Sequence, residues 1–327
     1  MAAVPEPARY NTCVASKVAL VALGMLAGRL LPAQVAIQPR EKPAPHKEET
    51  TQPTLRVDTN LVLVPVSVND ALNRPVTGLE KENFRVFDDT LEQTITQFAM
   101  EDEPIAVGMV FDTSGSMGDK LKRSRMAARQ FFNLSNPEDE FFLVEFDNSP
   151  RLEVPLTSDT GAIESQLMFS RSHGSTALLD AIYLSLHEMK KSKKNKKALL
   201  IISDGGDNHS RYTVKEVADV VRESDVLIYA IGVFGGGTTP EEAGGPWLLS
   251  KIAEQTGGRL YEANPVEMPD IAKKIGIDLR NRYVLGYSPQ NQQRDGRYHR
   301  VLVKLVPPRG LPPLRAHWRL GYYAPGH

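Results

Sequence analysis

The chain has 327 residues, 41% of them hydrophobic and 24% charged, with a formal net charge of -1. That length can bury a full core in one large or two modest domains, and near-neutrality gives no global pull toward nucleic acid or an anionic membrane. The only cysteine, Cys13, rules out an intramolecular disulfide and a cysteine-based zinc site, so any metal here must sit on oxygen or imidazole.

At the N-terminus, Lys17 precedes the apolar run "VALVALGMLAG" at 18–28, which stops at Arg29 and is followed by the small residues of "LLPAQVA". The run is too short to span a bilayer comfortably, so residues 1–33 are predicted to be an export signal for a secreted, periplasmic or cell-envelope protein. The alternative is an uncleaved anchor, and only in that case would the chain touch a membrane. Cys13 lies ahead of the run, wrongly placed for a lipid-modified N-terminus, and cleavage near Ala33 leaves no cysteine in the mature chain. That is compatible with an oxidising compartment. Residues 34–54, rich in proline and charge and without aromatics, read as an extended linker.

Residues 55–101 carry short two-fold patterns. "LVLVPVSV", "NFRVFDD" and "EQTITQFAM", separated by turn residues, predict three or four strands. Between 102 and 281 the texture changes. The near-continuous apolar runs "IAVGMVF" (105–111), "FFLVEF" (141–146), "ALLIIS" (198–203) and "VLIYAIGV" (226–233) are those of strands buried on both faces. They alternate with helical segments at 119–134, 175–191, 213–224 and 246–256, and a last helix at 266–281 follows. This predicts an α/β fold with a doubly wound, mostly parallel sheet. Residues 282–327 return to short strands: "RYVLGYSP", "RYHRVLVKLV" and "PLRAHWRLGYY". Neither flank has enough strands for a core of its own, so the two are expected to pair into one β-sandwich with the α/β region inserted between its halves.

In an open α/β sheet, ligands collect beyond the carboxyl ends of the strands. Asp112 stands where the first of these strands runs out, and Ser114 and Ser116 follow it in "DTSGSMGDK". Thr176 lies in the loop of "SRSHGSTALLDA", and Asp204 ends the strand of "ALLIISDGGDN". Taken singly, Ser and Thr before helices are commonly caps, and Asp before two glycines is commonly a turn. Together, two carboxylates and three hydroxyls form a hard oxygen set suited to Mg²⁺, Mn²⁺ or Ca²⁺. Neutral hydroxyls add ligands without adding charge, which leaves the ion attractive to an outside carboxylate.

Asp112-x-Ser114-x-Ser116 with Thr176 and Asp204 downstream resembles the metal-ion-dependent adhesion site of von Willebrand factor type A domains. The flanking text, "NRPVTGLEKENFRVFDDTLEQTITQF", "RYVLGYSP", "DGRYHRVLVKL" and "GYYAP", resembles the related proteins abundant in Acidobacteria. The likeness spans roughly residues 55–325. It implies a Rossmann-like domain whose bound cation captures an acidic side chain, Asp or Glu, of a protein partner. Asp112, Ser114 and Ser116 would be direct ligands, with Thr176 and Asp204 direct or bridged by water.

Other signals carry less. The run "KKSKKNKK" at 190–197 sits between a helix end and a strand start, where cations complement the helix dipole, so no nucleic-acid role is read from it. "GVFGGGTTPEEAGG" at 232–245 lacks the spacing of either nucleotide fingerprint and is expected to be a loop at the ligand edge. No Gly-x-Ser-x-Gly elbow surrounds Ser114 or Ser116, and His173 and His209 need no catalytic role. Thr113, Asp119 and Asp207 are expected behind the ligands or in solvent, and Asp180 is expected to face outward. The favoured function is an exported, non-enzymatic binding module. The alternatives are a metal-dependent hydrolase or enzyme subunit, and a structural envelope scaffold.

Overall fold

The computed structural model describes residues 61–100, 103–234, 240–290, 295–308 and 310–326, with side chains described from 243 onward in the helix that starts at 240. The export signal and the linker expected from the sequence lie outside these residues. In chain order the first strands are β1 (Val62–Asn69), β2 (Phe84–Asp88), β3 (Leu91–Gln93), β4 (Gln97–Met100) and β5 (Ile105–Asp112). A short 3-10 helix (Gly115–Lys120) leads into α1 (Leu121–Phe132), followed by β6 (Glu140–Phe146), β7 (Pro150–Thr157), α2 (Thr160–Phe169) and α3 (Leu178–Met189). Next come β8 (Lys196–Ser203), α4 (Val214–Glu223), β9 (Leu227–Gly232), α5 (Pro240–Glu254), β10 (Leu260–Glu262) and α6 (Met268–Arg280). The chain closes with β11 (Tyr283–Tyr287), β12 (Tyr298–Leu305), β13 (Arg315–Trp318) and β14 (Gly321–Tyr323).

Six strands form the central sheet in the order β10-β9-β8-β5-β6-β7. All its pairings are parallel except that of β7, which runs antiparallel to β6 at the edge. Every residue of β5 is buried, because successive side chains enter two different cores. Val107, Met109 and Phe111 meet α1, α2 and α6, whereas Ala106 and Val110 meet α3, α4 and α5. Helices therefore cover both faces, as expected of a doubly wound sheet. Gly108 has a steric reason: a Cβ there would lie 2.2 Å from the Phe142 ring on the neighbouring strand.

The flanking segments build two four-stranded sheets, β13-β1-β11-β4 and β14-β12-β2-β3, and each mixes strands from both ends of the chain. β1 pairs with β11 and β13, and β2 pairs with β12, all antiparallel. Alternate residues point inward: Val64, Val66 and Val68 from β1 with Tyr283, Leu285 and Tyr287 from β11 pack on Phe84, Val86, Val301 and Val303. The pairing of the two flanks is thus observed.

Three elements differ from the sequence expectation. β7 was not anticipated: it begins at a proline, has a second at Pro155 and is nowhere fully buried, which an edge strand tolerates. α2 buries only Ile163 and Leu167, too little for a helical stripe, and starts under an Asp159 cap that accepts from the amides of Gly161 and Ala162. α5 starts at Pro240 rather than Pro246, so residues 240–245 of the glycine-rich segment are helical instead of loop.

Candidate metal centre

Asp112 ends β5 and Ser203 ends the adjacent β8, so Asp112 and Asp204 leave the same sheet edge side by side. The Asp112 carboxylate is fully buried. One oxygen accepts from the Ser114 amide at 2.8 Å and the other from the Ser203 hydroxyl at 2.5 Å. Ser114 is buried beside it, and its hydroxyl lies 3.1 Å from that of Ser116, which is exposed at the rim. Asp204, also buried, is met by the Lys120 ammonium at 3.1 Å.

Thr176 is carried on the loop before α3, and that loop is bonded to the other segments. The amide of His173 donates to the Thr113 carbonyl at 2.9 Å, and that of Gly115 to Gly174 at 3.1 Å. The Ser172 hydroxyl donates to the Ser114 carbonyl at 2.5 Å. On its other side, the Thr176 amide donates to the Asn208 side chain at 2.9 Å, and the Thr176 carbonyl accepts from the amides of Asn208 and His209 at 3.0 and 3.1 Å. The turn after β6 forms a further wall: the Asp147 carbonyl accepts from Ala177 and the Asn148 side chain from Ser175. The five residues picked from the sequence therefore sit on three loops stitched to one another.

Two buried carboxylates beside one another are unfavourable unless a cation shares them. Burial, reinforced by the negative charge of Asp204, pushes the Asp112 carboxyl up to about 7. The Lys120 ammonium already occupies part of a cation's place at Asp204. Hard carboxylate and hydroxyl oxygens, a buried acid at Asp112 met by an amide and a hydroxyl, and an ammonium drawn to Asp204 beside it fit an oxygen-loving divalent ion. Asp112, Ser114, Ser116, Thr176 and Asp204 are the residues that would hold it.

Several neighbours have partners that the sequence does not show. Asp180 does not face outward: it is buried, and one of its oxygens accepts from the amides of Arg211 and Tyr212 at 2.8 and 3.1 Å. The loop after β8 crosses the start of α3 there and needs acceptors for its amides. Asp207 works in the same way, taking the Leu178 amide and the Ser210 hydroxyl. The His173 ring is exposed and pairs with Asp147 at 3.1 Å, and Arg151 grips that same carboxylate with two nitrogens. Gly205 has φ of +76°, and a Cβ on Gly245 at the start of α5 would come 2.4 Å from the Asp204 carbonyl. The glycine-rich segment thus ends as a backbone buttress under Asp204. A cavity of about 760 Å³ lies at the opposite edge of the sheet, near Ile105, Lys196 and Leu227 at the strand starts, and is separate from this centre.

Residues 107–206 match the family model of the von Willebrand factor type A domain. An uncharacterized protein of Borreliella burgdorferi is 26% identical over 206 residues, 53% of this chain and 59% of its own length. Cuticlin-6 of Caenorhabditis elegans is 25% identical over 161 residues, 46% of this chain and 27% of its own. The chain thus spans between about a quarter and three fifths of these curated relatives. Among solved structures, a von Willebrand factor type A protein from Catenulispora acidiphila is similar with a TM-score of 0.49 and 12% identity, covering 82% of this chain and 74% of that one.

Proposed function

Because this chain carries a von Willebrand factor type A domain, matched over residues 107–206, we propose that it is a metal-dependent binding module. Asp112, Ser114, Ser116, Thr176 and Asp204 hold Mg²⁺, or Mn²⁺ or Ca²⁺ in its place. When bound, the ion supplies a coordination position for an aspartate or glutamate of a protein partner. The carrying observation is the pair of buried carboxylates at the ends of adjacent strands, Asp112 and Asp204, with an ammonium drawn to one of them.

The chain's own residues then do three things. Ser203 and the Ser114 amide aim the Asp112 carboxylate by bonding both of its oxygens. Ser114 and Ser116 bring neutral oxygens from the buried floor to the exposed rim. The Thr176 loop, bonded on one side to Thr113 and Gly115 and on the other to Asn208, keeps the rim in one shape. The Ser114 and Ser116 hydroxyls bond each other, and the nearby His173 ring pairs with Asp147 rather than with either of them, which supports holding over catalysis. A net charge of -1 does not favour nucleic acid as the partner. We place the protein outside the cytoplasm, in the envelope or secreted, on its N-terminal segment; among the described residues no helix is long and apolar enough to cross a membrane.

The test is a pull-down from the native cell envelope, run in Mg²⁺ and in EDTA with the intact chain and with Asp112→Ala. The intact chain is expected to capture a partner only in Mg²⁺, and the variant to capture none while keeping its circular dichroism spectrum. Capture that survives EDTA, or survives Asp112→Ala, refutes the reading.

A further inference from the structure

A second group of metal-ligating side chains lies in the β-sandwich, where no part of the first centre reaches. Asp88 ends β2, Asp89 follows it, and His299 stands on the neighbouring β12. One ligand atom from each lies within 4.8 Å of the others. The Asp88 side chain is 92% buried, and its Oδ1 has no hydrogen-bond partner among the described residues. Such an orphan acceptor costs free energy unless something else meets it. Its other oxygen is anchored by two phenols, Tyr287 at 3.1 Å from the opposite sheet and Tyr322 at 2.8 Å. With Oδ2 held in this way, Oδ1 faces the imidazole, 3.7 Å from Nδ1.

That distance is too long for a hydrogen bond. It is close to the separation of two ligands on one ion, about 3.4 Å for a tetrahedral site with bonds of about 2.1 Å. Asp89 Oδ2 stands 3.1 Å from the same nitrogen and is half-exposed, which leaves a way in from solvent. The other oxygen of Asp89 accepts from the Arg300 amide at 2.9 Å, and its backbone is held at φ of +52°. On the far side of the ring, Nε2 lies 3.4 Å from Asp295, and Tyr322 stacks on its face. A carboxylate behind a histidine fixes which nitrogen is free to coordinate, as histidine ligands generally require.

We propose that Asp88, Asp89 and His299 form a second cation site, one that takes a divalent transition-metal ion such as Zn²⁺. Asp295, Tyr287 and Tyr322 position its ligands. One nitrogen and two carboxylates favour this class over Mg²⁺ or Ca²⁺, which prefer oxygen alone. A bare imidazolium bridging the carboxylates accounts for the contacts to Asp89 and Asp295 and would pair with Asp88 by charge at 3.7 Å, but it leaves Asp88 Oδ1 without a hydrogen bond. The site is independent of the proposed function of the first centre.

The experiment titrates Zn²⁺ by calorimetry into the full chain carrying Asp112→Ala, metal-stripped and then held in excess Mg²⁺. One equivalent of Zn²⁺ is expected to bind. His299→Gln and Asp89→Asn, added singly, should each weaken it more than about tenfold, and Asp295→Asn by about tenfold. Asp89 is at the surface, so Asp89→Asn carries the test if His299→Gln disturbs the fold, with melting in EDTA checking both. The proposal is overturned if no equivalent of Zn²⁺ binds, or if it binds equally well in the His299 and Asp89 variants.

Discussion

Lys120 extends its ammonium to Asp204 at 3.1 Å from the first turn after the rim. It is the cation that the chain itself supplies to one of the two buried acids, and it opposes any ion that comes to the same carboxylate. Lys120→Met is therefore expected to have opposite effects in the two states. In Mg²⁺, affinity by calorimetry should rise about fivefold, since a nearby like charge is removed. In EDTA, the melting temperature should fall by roughly 5 °C, since a buried carboxylate loses its partner. A variant that melts lower and also binds Mg²⁺ more weakly would show that Lys120 supports the site rather than competing for it. Gly245 poses a steric test at the same carboxylate. Gly245→Ala forces the Asp204 carbonyl to move, which should cost about 1–3 kcal/mol of stability in denaturant melts and weaken Mg²⁺ binding as well. At this scale, the residues that end strands were legible. Asp112 and Asp204 follow unbroken apolar runs, and a carboxylate at that position has few structural reasons to be there. Lys120, Asp180 and Gly245 were not, because their roles depend on which loop crosses which helix, and spacing along the chain carries no trace of that.

Elements whose pattern came from burial on two faces were equally readable: β5, β6, β8 and β9 lie within one or two residues of their apolar runs. β7 and α2 escaped because an edge strand and a two-contact helix need little hydrophobic patterning. The start of α5 escaped because glycines in a helix read as loop. The joint between the sandwich and the α/β elements has a further property that pattern cannot reveal. His317 on β13 lies 3.4 Å from Arg259, which precedes β10. Burial first, and then the positive charge of Arg259, pull its pKa from 6.5 down to about 4, with Arg282 adding to the effect and Asp278 and Glu254 opposing it. The folded protein keeps this ring neutral while the unfolded chain protonates it, so the unfolded state binds more protons between pH 6.5 and 4. Stability should therefore fall as pH drops through that window and level off below it. Allowing for partial exposure, the loss is about 2 kcal/mol. Urea melts of His317→Gln at pH 7 and pH 4.5 are the measurement; the variant should lose less between the two than the parent. An equal loss would assign the acid sensitivity to other groups.

On the scale of the whole molecule, the sandwich exists only because distant parts of the chain share its sheets. β1 has two ladder partners, β11 and β13, both from the far end of the sequence, and β4 pairs with β11. The central sheet needs neither flank for its ladders. The join is polar and buried: Asp278 on α6 accepts from Tyr229 of β9 at 2.5 Å and from Asn69 of β1 at 3.3 Å, while Arg282 donates to Tyr229 and to the Pro65 carbonyl. Among the described residues, a chain ending at Arg282 would keep β2 with β3 as the only ladder of the N-terminal segment, and a two-stranded hairpin is marginal on its own. Hydrogen exchange should then separate the two layers. Amides of 62–69 are expected to be protected in the longer chain and to exchange freely in the shortened one, whereas those of 105–112 stay protected in both. Protection of 62–69 in the shortened chain would mean that the N-terminal strands find partners other than those seen here, and loss of protection at 105–112 would mean that the inserted α/β region depends on closure of the sandwich around its two ends.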